Sequence, residues 1–506
     1  MVSNSIYLAR RNHWRTILHV LPLHYAEQYC NTSVRGMLNL FLQTSVGLSP
    51  EDARSKVHLV GAMIYLSPLI GGIIADLLVG SFYAACMFGA ILLGGMTSLA
   101  AVSYERYPIN MYMAVLGCIS LGLGALKPCL TALASHQIEL DLLPAPFEWA
   151  NVDYFRSAFV VSNAGILSAS TLTPLLATVA CYHGSCYPLA FGVAALLLAL
   201  AALAFLAGWY RFIKMYTARS INSSNQKWSE LFHDQRVRED LVRLLRFFAM
   251  CLPLSFFWML YDQATTAWQM QYETMDHGWL GFHVHTELMA NAGSIFLLAM
   301  IPILTYIIDP LLLRVGFRLH GVPRMGVAFL VLIASFGVSM AVQTQSFGVG
   351  VVENGRVVGC VDCLSGAWQL PQWFLHALAE ALLGTATPEF AHCQGGERFR
   401  TLGPGLLYLT NAFGNLLVFV LDRYFFDDMD YIPRMGYYLG VAAFANLVLM
   451  SMYAVWFSPI LESEAQVRQL NSGSRTFFTQ ANNEKEVTET IPETFGQAYA
   501  TLSHSS

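Results

Sequence analysis

The sequence predicts an all-α membrane protein, and three observations lead to this fold class. The chain has 506 residues, of which 55% are hydrophobic and only 12% are charged, whereas soluble domains carry about 25% charged residues. Its mean hydropathy is +0.48. Apolar runs such as 189–207 are as long as a membrane-spanning helix, about 20 residues, and lack the alternation of a membrane β-strand. This composition excludes a soluble enzyme, a disordered protein and a nucleic-acid-binding protein.

Apolar runs separated by glycine, proline and polar clusters predict the order of the membrane spans. The longest polar stretch between two runs, 217–239, divides twelve runs six and six. We therefore expect a first bundle over 1–215, a linker over 216–239, a second bundle over 240–460 and a polar, disordered tail over 461–506. The predicted spans 1 to 12 are 16–45, 53–79, 82–104, 108–134, 153–180, 187–212, 240–270, 287–313, 322–343, 369–391, 402–424 and 433–457.

The distribution of lysine and arginine predicts the orientation of these spans. If both termini are cytoplasmic, 19 of the 28 basic residues fall on the cytoplasmic side, six fall outside and three lie at membrane depth. This bias follows the positive-inside rule and favours cytoplasmic termini. The loop 136–153 departs from the pattern because it is acidic.

Two cysteine pairs lie in loops that this topology places outside. Cys181 and Cys186 flank the loop between spans 5 and 6, and Cys360 and Cys363 lie between spans 9 and 10. An oxidising compartment favours a disulfide in each loop. The alternative for the second pair is two free thiols. No second pair of metal ligands lies nearby, so we expect no metal site.

Span 1 has a polar stripe in an otherwise apolar helix. Glu27 and Arg35 are eight residues apart, which places them within about 80° of one helical face. Asn31 lies one turn before Arg35. A charge at the centre of a span costs about 2.5–3.5 kcal/mol on insertion scales, so such residues face a cavity or a partner. The stripe predicts the lining of a binding site or aqueous path; the alternative is a structural polar network.

Charges of opposite sign lie in the two halves of the chain. Arg35 and Lys127 belong to the first half, and Asp262 and Glu380 belong to the second. If both halves face one cavity, its two walls suit a zwitterion whose carboxylate meets the cations and whose amine meets Glu380. Short peptides have this chemistry. Pairs across the cavity would close one end at a time, as alternating access between two bundles requires.

Several segments resemble the proton-coupled oligopeptide transporter family of the major facilitator superfamily, and its animal members in particular. The resemblance extends over roughly residues 16–458 and implies the twelve-helix major facilitator fold. The segments that resemble the family, in chain order, are VHLVGAMIYLSPLIGGIIADLLVG, LGALKPCLTALASHQIE, SNAGILSASTLTPLL, CYPLAFGV, FFWMLYDQ, PQWFLHALAEALL and YLTNAFGN.

The resemblance implies roles for individual residues. In the family, the basic residues of spans 1 and 4 lie near the peptide carboxylate and the glutamate of span 10 holds the peptide amine. The positions implied to bind substrate are Arg35, Asn31, Lys127, Asn163, Asn291 and Glu380, of which Asn291 matches only loosely. The positions implied in proton coupling and gating are His24, Glu27, His58 and Asp262.

The chain departs from the family's pattern where coupling and substrate contact meet. The family's span 1 motif is Glu-x-x-Glu-Arg-Phe followed by a tyrosine pair. Here His24 replaces the first glutamate and Gln28 replaces the arginine, while Asn31 and Thr32 stand at the tyrosine positions. The tryptophan of span 11 is Leu407, and His376 in span 10 has no counterpart in the family's pattern.

These departures leave three functions open. The first is a proton-driven importer of di- and tripeptides, with the proton as coupling ion and no cofactor. The second is a transporter of the same fold with weak coupling or another small solute, and the third is a transporter-like nutrient sensor. In each case we expect a monomeric multi-pass protein with a small zwitterionic ligand, without nucleic acid or enzymatic activity. The plasma membrane is expected, and the tail segment Tyr499–Leu502 leaves an endolysosomal membrane open.

Overall fold

Long α-helices make up most of the chain in a computed structural model. The helices are α1 (Val2–Phe41), α2 (Pro50–Ile74), α3 (Ser81–Val102), α4 (Ile109–Asp141), α5 (Phe147–Ala177), α6 (Tyr187–Ala207), α7 (Gln235–Cys251), α8 (Leu254–Asp262), α9 (Ala267–Glu273), α10 (Thr286–Ile303), α11 (Asp309–Arg314), α12 (Gly321–Gln345), α13 (Leu370–Gln394), α14 (Leu402–Tyr424) and α15 (Tyr431–Met452). The structure describes residues 2–105, 107–141, 147–177, 179–181, 184–212, 235–265, 267–279, 282–283, 286–316, 319, 321–345, 349–353, 356–361, 364–394, 399–425 and 430–457.

Most predicted spans coincide with one helix. Within the described residues, eight helices are long and apolar enough to cross a membrane, and a ninth span results if α7 and the helices after it are joined. The predicted spans 1, 10 and 11 correspond to α1, α13 and α14. These three lie outside that apolar set, and they bear many of the polar side chains described below. The helical fold is that of a multi-pass membrane protein.

Predicted span 7 is broken rather than continuous. Helix α7 ends at Cys251 and α8 begins at Leu254, because Pro253 lacks a backbone N–H and cannot continue the helix hydrogen bonding. A second break follows Asp262, where a 3-10 turn over Gln263–Thr265 precedes α9. Discontinuous helices of this kind expose backbone and side-chain polar groups at membrane depth.

Helix α2 has clear start and stop signals. At its start, the Ser49 hydroxyl accepts a hydrogen bond from the backbone N–H of Asp52 at 3.1 Å, and Pro50 occupies the first turn, where its missing N–H is no loss. Its end widens into a π-helical turn over Ala75–Val79. Gly80 follows with φ of 85°, a conformation that favours glycine. Similar π-helical turns occupy Leu42–Val46, Leu304–Ile308 and Tyr453–Phe457.

Helices α1 to α6 pack around a continuous apolar core. In this half, α3 packs on α4, α1 packs on α5 and α6, and α2 packs on α4. Phe41 shows the packing: its ring makes edge-to-face contacts with Tyr112, Tyr187 and Phe191, with ring centroids 5.6, 5.2 and 5.7 Å away. In the second half, α12 packs on α13, α8 on α14 and α10 on α13.

The two halves meet mainly where α2 packs on α14 and α5 packs on α10, and α13 and α14 also contact α4 or α5 of the first half. Residues up to Met450 form one compact unit. The predicted tail over 461–506 lies outside the described residues. The predicted linker 216–239 lies mostly outside the described residues, so the predicted division into two six-helix bundles stays a prediction.

Short antiparallel hairpins connect some helices. The strands are β1 (Ala180–Cys181), β2 (Gly184–Ser185), β3 (Gly278–Trp279), β4 (Phe282–His283), β5 (Val349–Glu353) and β6 (Arg356–Val361). The β5–β6 hairpin lies in the connection between predicted spans 9 and 10, with Val349 opposite Val361. Sequence patterns in that connection did not predict strands.

One face of α6 illustrates how the protein presents itself to the bilayer. Leu196, Leu200 and Leu203 follow the spacing of one helical face, and each is more than half exposed. Large apolar side chains in contact with water would be costly. In a bilayer the same leucines contact acyl chains.

Candidate substrate-binding site

The middle of α1 carries the predicted polar stripe. His24, Glu27 and Gln28 are buried, whereas the Arg35 side chain is accessible. Within the described part of the chain, Glu27 Oε2 is buried without a hydrogen-bond partner. Asn31 Nδ2 donates to Gln28 Oε1 at 3.4 Å. Oε2 of Glu27 is therefore a buried acceptor without a hydrogen-bond donor among the described residues.

Arg35 is oriented by a tyrosine from α2. Arg35 Nη1 donates to Tyr65 Oη at 2.8 Å, and the guanidinium carbon lies 5.5 Å from the centroid of the Tyr65 ring. Arg35 also interacts electrostatically with Asp262 at the end of α8. The side chain of Asn415 from α14 also interacts with Asp262. Tyr65 is thus the hydrogen-bonded neighbour of the arginine, and Asp262 is a carboxylate within its electrostatic range.

Lys127 on α4 lies between carboxylates of both halves. Its ammonium nitrogen lies 5.0 Å from the centroid of the Tyr408 ring of α14, a cation–π geometry. It interacts electrostatically with Glu27 on α1 and Glu380 on α13. His24 on α1 also lies within electrostatic range of Lys127. Lys127 is therefore the cation shared by the polar stripe of α1 and the carboxylate of α13.

Glu380 is positioned from α8. The side chain of Tyr261, the residue before Asp262, interacts with Glu380. The Tyr261 ring stacks on His376, with centroids 4.3 Å apart. Two neighbouring residues of the broken span 7 therefore interact with two different charges of the site. Asp262 interacts with Arg35, and Tyr261 interacts with Glu380.

Six predicted site residues consequently form one connected arrangement, with His24, Glu27, Arg35 and Lys127 from the first half and Asp262 and Glu380 from the second. Two cations and three carboxylates converge here. Apart from the accessible Arg35, these groups are buried or half-buried, so solvent screens their interactions less than at a surface. This separation of charge suits a ligand with a carboxylate at one end and an amine at the other. A few polar groups in an apolar setting are the usual composition of a small-molecule site.

Other predicted residues are not joined to this arrangement by described contacts. Asn163 is buried on α5, where its Nδ2 donates to the backbone oxygen of Phe159 at 2.8 Å. Asn291 is half-buried on α10. The side chain of His58, on α2, lies outside the described residues. Their predicted roles stay predictions.

Only part of the two predicted cysteine pairs lies within the described residues. Cys186 is disulfide-bonded, and β1 places Cys181 opposite Gly184 in the neighbouring strand. The side chains of Cys181 and Cys360, and the whole of Cys363, lie outside the described residues, so both pairings stay predictions.

Four residues that contact the charged groups were missed by sequence reasoning: Tyr65, Tyr261, Tyr408 and Asn415. Three are tyrosines in a chain whose aromatic content is 13%, so neither their type nor their frequency distinguished them from packing residues. The available signal was a hydroxyl or amide at membrane depth, because such groups also need partners there. Asn415 follows this reasoning in the segment YLTNAFGN.

A carboxylate from the first half caps a helix of the second half. Asp76, just beyond α2, accepts hydrogen bonds from the backbone N–H of Thr401 at 3.1 Å and of Leu402 at 2.7 Å. These N–H groups begin α14 and have no acceptor within their own helix. At Gly405, a Cβ atom would lie 2.8 Å from the Pro68 backbone oxygen, so α2 and α14 touch backbone to backbone. Both observations show that the two halves are joined where α2 meets α14.

Comparison with known proteins decides the family. A family model described as the POT family matches residues 78–229 and 217–430, which together exceed half of the chain. The chain belongs to the POT family. The predicted resemblance is therefore confirmed.

Curated relatives carry transporter names. This POT-family chain is 29% identical over 365 residues to "Peptide transporter family 2" of Caenorhabditis elegans, a match that covers 63% of this chain and 45% of the relative. It is 24% identical over 372 residues to human "Solute carrier family 15 member 1", covering 65% of this chain and 52% of the relative. The chain thus spans about half the length of the curated relatives it matches. The relatives are transporters, which confirms the prediction that the chain is not an enzyme.

Solved structures share the fold. One, described as an auto-inhibited POT family peptide transporter, superposes with a TM-score of 0.63 at 19% identity and covers 87% of this chain and 97% of its own. Another, a POT family transporter in complex with 5-aminolevulinic acid, gives a TM-score of 0.60 at 14% identity and covers 88% and 96%. At such identities the likeness concerns the fold of this POT-family chain.

Proposed function

We propose that this POT-family protein is a proton-coupled symporter that imports di- and tripeptides. It works by alternating access between two six-helix bundles, which together provide twelve membrane spans with both termini in the cytoplasm. The coupling ion is the proton, and no cofactor takes part. The proposal rests above all on the convergence of Arg35, Lys127, Asp262 and Glu380 from both halves of the chain. The peptide-transporter names of the curated relatives support it.

The chemistry of a peptide matches this convergence. A dipeptide is a zwitterion whose carboxylate and ammonium are several ångströms apart. Arg35 and Lys127 offer hydrogen bonds and positive charge to the carboxylate, and Glu380 offers an acceptor to the ammonium. Hydrogen bonds to charged groups are about twice as strong as those between neutral groups. Binding to both halves at once would draw the halves together around the ligand.

In this proposal, His24 and Glu27 are the residues that bind and release the coupling proton. Relative to the family's span 1 motif, His24 removes one carboxylate and Gln28 removes one guanidinium, so the formal charge of the motif is unchanged with a neutral histidine. Glu27 remains, and its Oε2 is buried without a described partner. Lys127 is the cation within electrostatic range of both Glu27 and His24. A proton on either group would weaken or oppose its interaction with Lys127 and so release the lysine for substrate.

The departures in α1 favour a second candidate. A transporter of the same fold with weak proton coupling or another small solute would retain the charged walls and dispense with the full motif. A POT-family structure in complex with 5-aminolevulinic acid supports this alternative, because that compound also separates an amine from a carboxylate. A transporter-like nutrient sensor would bind such a ligand without completing the cycle.

Uptake into proteoliposomes tests the proposal. A labelled dipeptide would be offered at about pH 5.5 and about pH 7.5 outside, a range over which histidine titrates. We expect acid-stimulated uptake by the wild-type protein and loss of uptake in Glu380→Ala. Uptake without pH dependence would favour the weakly coupled transporter, and binding without uptake would favour the sensor. If the protein neither bound nor took up the dipeptide, the peptide proposal would be refuted.

The remaining features follow from this proposal. We propose a monomer in the plasma membrane, in which the substrate and the surrounding lipid are the only partners required. The tail segment Tyr499–Leu502 keeps an endolysosomal membrane as the alternative. Fluorescent tagging of the full chain, with and without Tyr499→Ala, distinguishes the two membranes.

A further inference from the structure

A chain of contacts connects His376 to the carboxylate of Glu380. His376 Nε2 lies 3.3 Å from the backbone oxygen of Tyr261, within reach of an N–H donor on the ring. The two rings stack, with centroids 4.3 Å apart and planes inclined by 26°. The phenol of Tyr261 also interacts with the carboxylate of Glu380. His376 thus contacts Tyr261 through both its backbone and its ring, and Tyr261 contacts Glu380.

Helix geometry closes this chain of contacts into a loop. His376 and Glu380 are four residues apart on α13, so they lie on the same helical face. Tyr261 is in the last turn of α8, just before the break that follows Asp262. The stack of Tyr261 on His376 joins this end of α8 to the face of α13 that bears Glu380.

The histidine itself is tightly enclosed. His376 is buried, and its ring makes edge-to-face contacts with Trp268 and Trp373, with centroids 5.3 and 5.8 Å away. Trp268 and Trp373 also pack on each other with centroids 4.8 Å apart. Because the His376 ring is enclosed on several sides, its orientation is fixed. The Tyr261 ring stacked against it is therefore held in place as well.

We propose that His376 and Tyr261 are positioning residues that set the affinity of Glu380 for the amino group of the substrate. This inference rests on the proposed function and explains what sets the affinity of the site for the amino end of the substrate. An ionised carboxylate has about four acceptor positions. The Tyr261 hydroxyl occupies one and leaves the others for an ammonium group. It also holds Glu380 against the attraction of Lys127, towards which a free carboxylate would turn.

Matched variants separate this role from simple packing. Tyr261→Phe keeps the ring and removes the donor to Glu380, and His376→Leu removes the ring that holds Tyr261. Tyr25→Phe is the control, because its hydroxyl is bonded to Ser168 Oγ at 2.7 Å, in a contact without Glu380. Affinities of the purified full chain for Ala-Ala and for N-acetyl-Ala-Ala would be measured. The acetylated peptide retains the carboxylate and has no ammonium.

We expect both single variants to weaken Ala-Ala binding about tenfold, the effect of losing one hydrogen bond to a charged group. Binding of N-acetyl-Ala-Ala should be unchanged in both. The double variant should be no weaker than Tyr261→Phe alone, because both substitutions act through one carboxylate oxygen. Equal losses for the two peptides, or losses that add in the double variant, would overturn the proposal.

A second readout does not depend on transport of peptides. Carbodiimide labelling of Glu380, quantified by mass spectrometry, reports whether the Tyr261 hydroxyl covers a carboxyl oxygen. Labelling should rise in Tyr261→Phe and His376→Leu and stay at the wild-type level in Tyr25→Phe. If wild-type protein binds no peptide but labelling rises in this pattern, the proposed substrate is wrong and the positioning pair stands. Unchanged labelling in both variants would overturn the positioning pair whatever the substrate.

Discussion

Replacing Asp76 should measure how strongly the two halves are joined where α2 meets α14. In Asp76→Ala, the N–H groups of Thr401 and Leu402 lose their acceptor in a buried setting, and each such loss costs about 1–3 kcal/mol. Because both groups share one carboxylate, the losses are not additive, and we expect about 3 kcal/mol in total. Asp76→Asn keeps an oxygen that caps helices as well as aspartate does. It should lose only the charge–dipole part, about 1 kcal/mol.

Unfolding in mixed micelles with increasing SDS, followed by tryptophan fluorescence, provides the free energies of unfolding. Asp52→Ala is the control. Asp52 lies on the same helix α2, is exposed, and accepts a hydrogen bond from Ser49 Oγ at 2.8 Å, so its loss should cost less than about 0.5 kcal/mol. The reasoning would be refuted if Asp76→Ala were no more costly than Asp52→Ala. An Asn variant as unstable as the Ala variant would refute the proposed division between capping and charge.

Three further predictions follow from individual contacts. Tyr65→Phe should weaken dipeptide binding about tenfold by releasing Arg35, yet leave a C-terminally amidated dipeptide unaffected; equal effects on both ligands would contradict this. Arg324 donates from Nη1 to Asp309 Oδ1 at 3.0 Å while buried. Arg324→Leu should cost about 3–5 kcal/mol of unfolding free energy, and replacing both partners by leucine much less, which an SDS titration of both variants checks. Gly405→Ala should lower stability by about 1–3 kcal/mol through overpacking against α2, whereas Gly436→Ala, which has open space around it, should not; equal melting temperatures would argue against the close approach.

The charged part of the site was predictable because charge at membrane depth is costly. Arg35, Lys127, Asp262 and Glu380 stood out from the sequence for that reason alone, before any family was considered. The tyrosines around them did not stand out. Tyr65 and Tyr261 become site residues only through contacts between helices far apart in the chain, and an aromatic ring in an apolar span is ordinarily a packing residue.

Span 7 shows the same limit for secondary structure. Its apolar composition predicted one helix over 240–270, whereas the structure ends α7 at Cys251 and α8 at Asp262. The first break lies at Pro253, a residue type that ordinarily interrupts a helix. The second break, after Asp262, has no proline or glycine, and it places Tyr261 and Asp262 against two different charges of the site.

The sequence by itself determined that this protein is a helical membrane protein, and it located most of the long apolar helices and the charges at membrane depth. These are consequences of composition and local order, because the bilayer requires long apolar segments and penalises every exception. Only the tertiary structure decided which of these polar and charged residues contact one another. The contact of Asp76 with α14, the sharing of Lys127 between Glu27 and Glu380, and the loop from His376 through Tyr261 to Glu380 depend on how helices pack, and packing is a property of the whole chain.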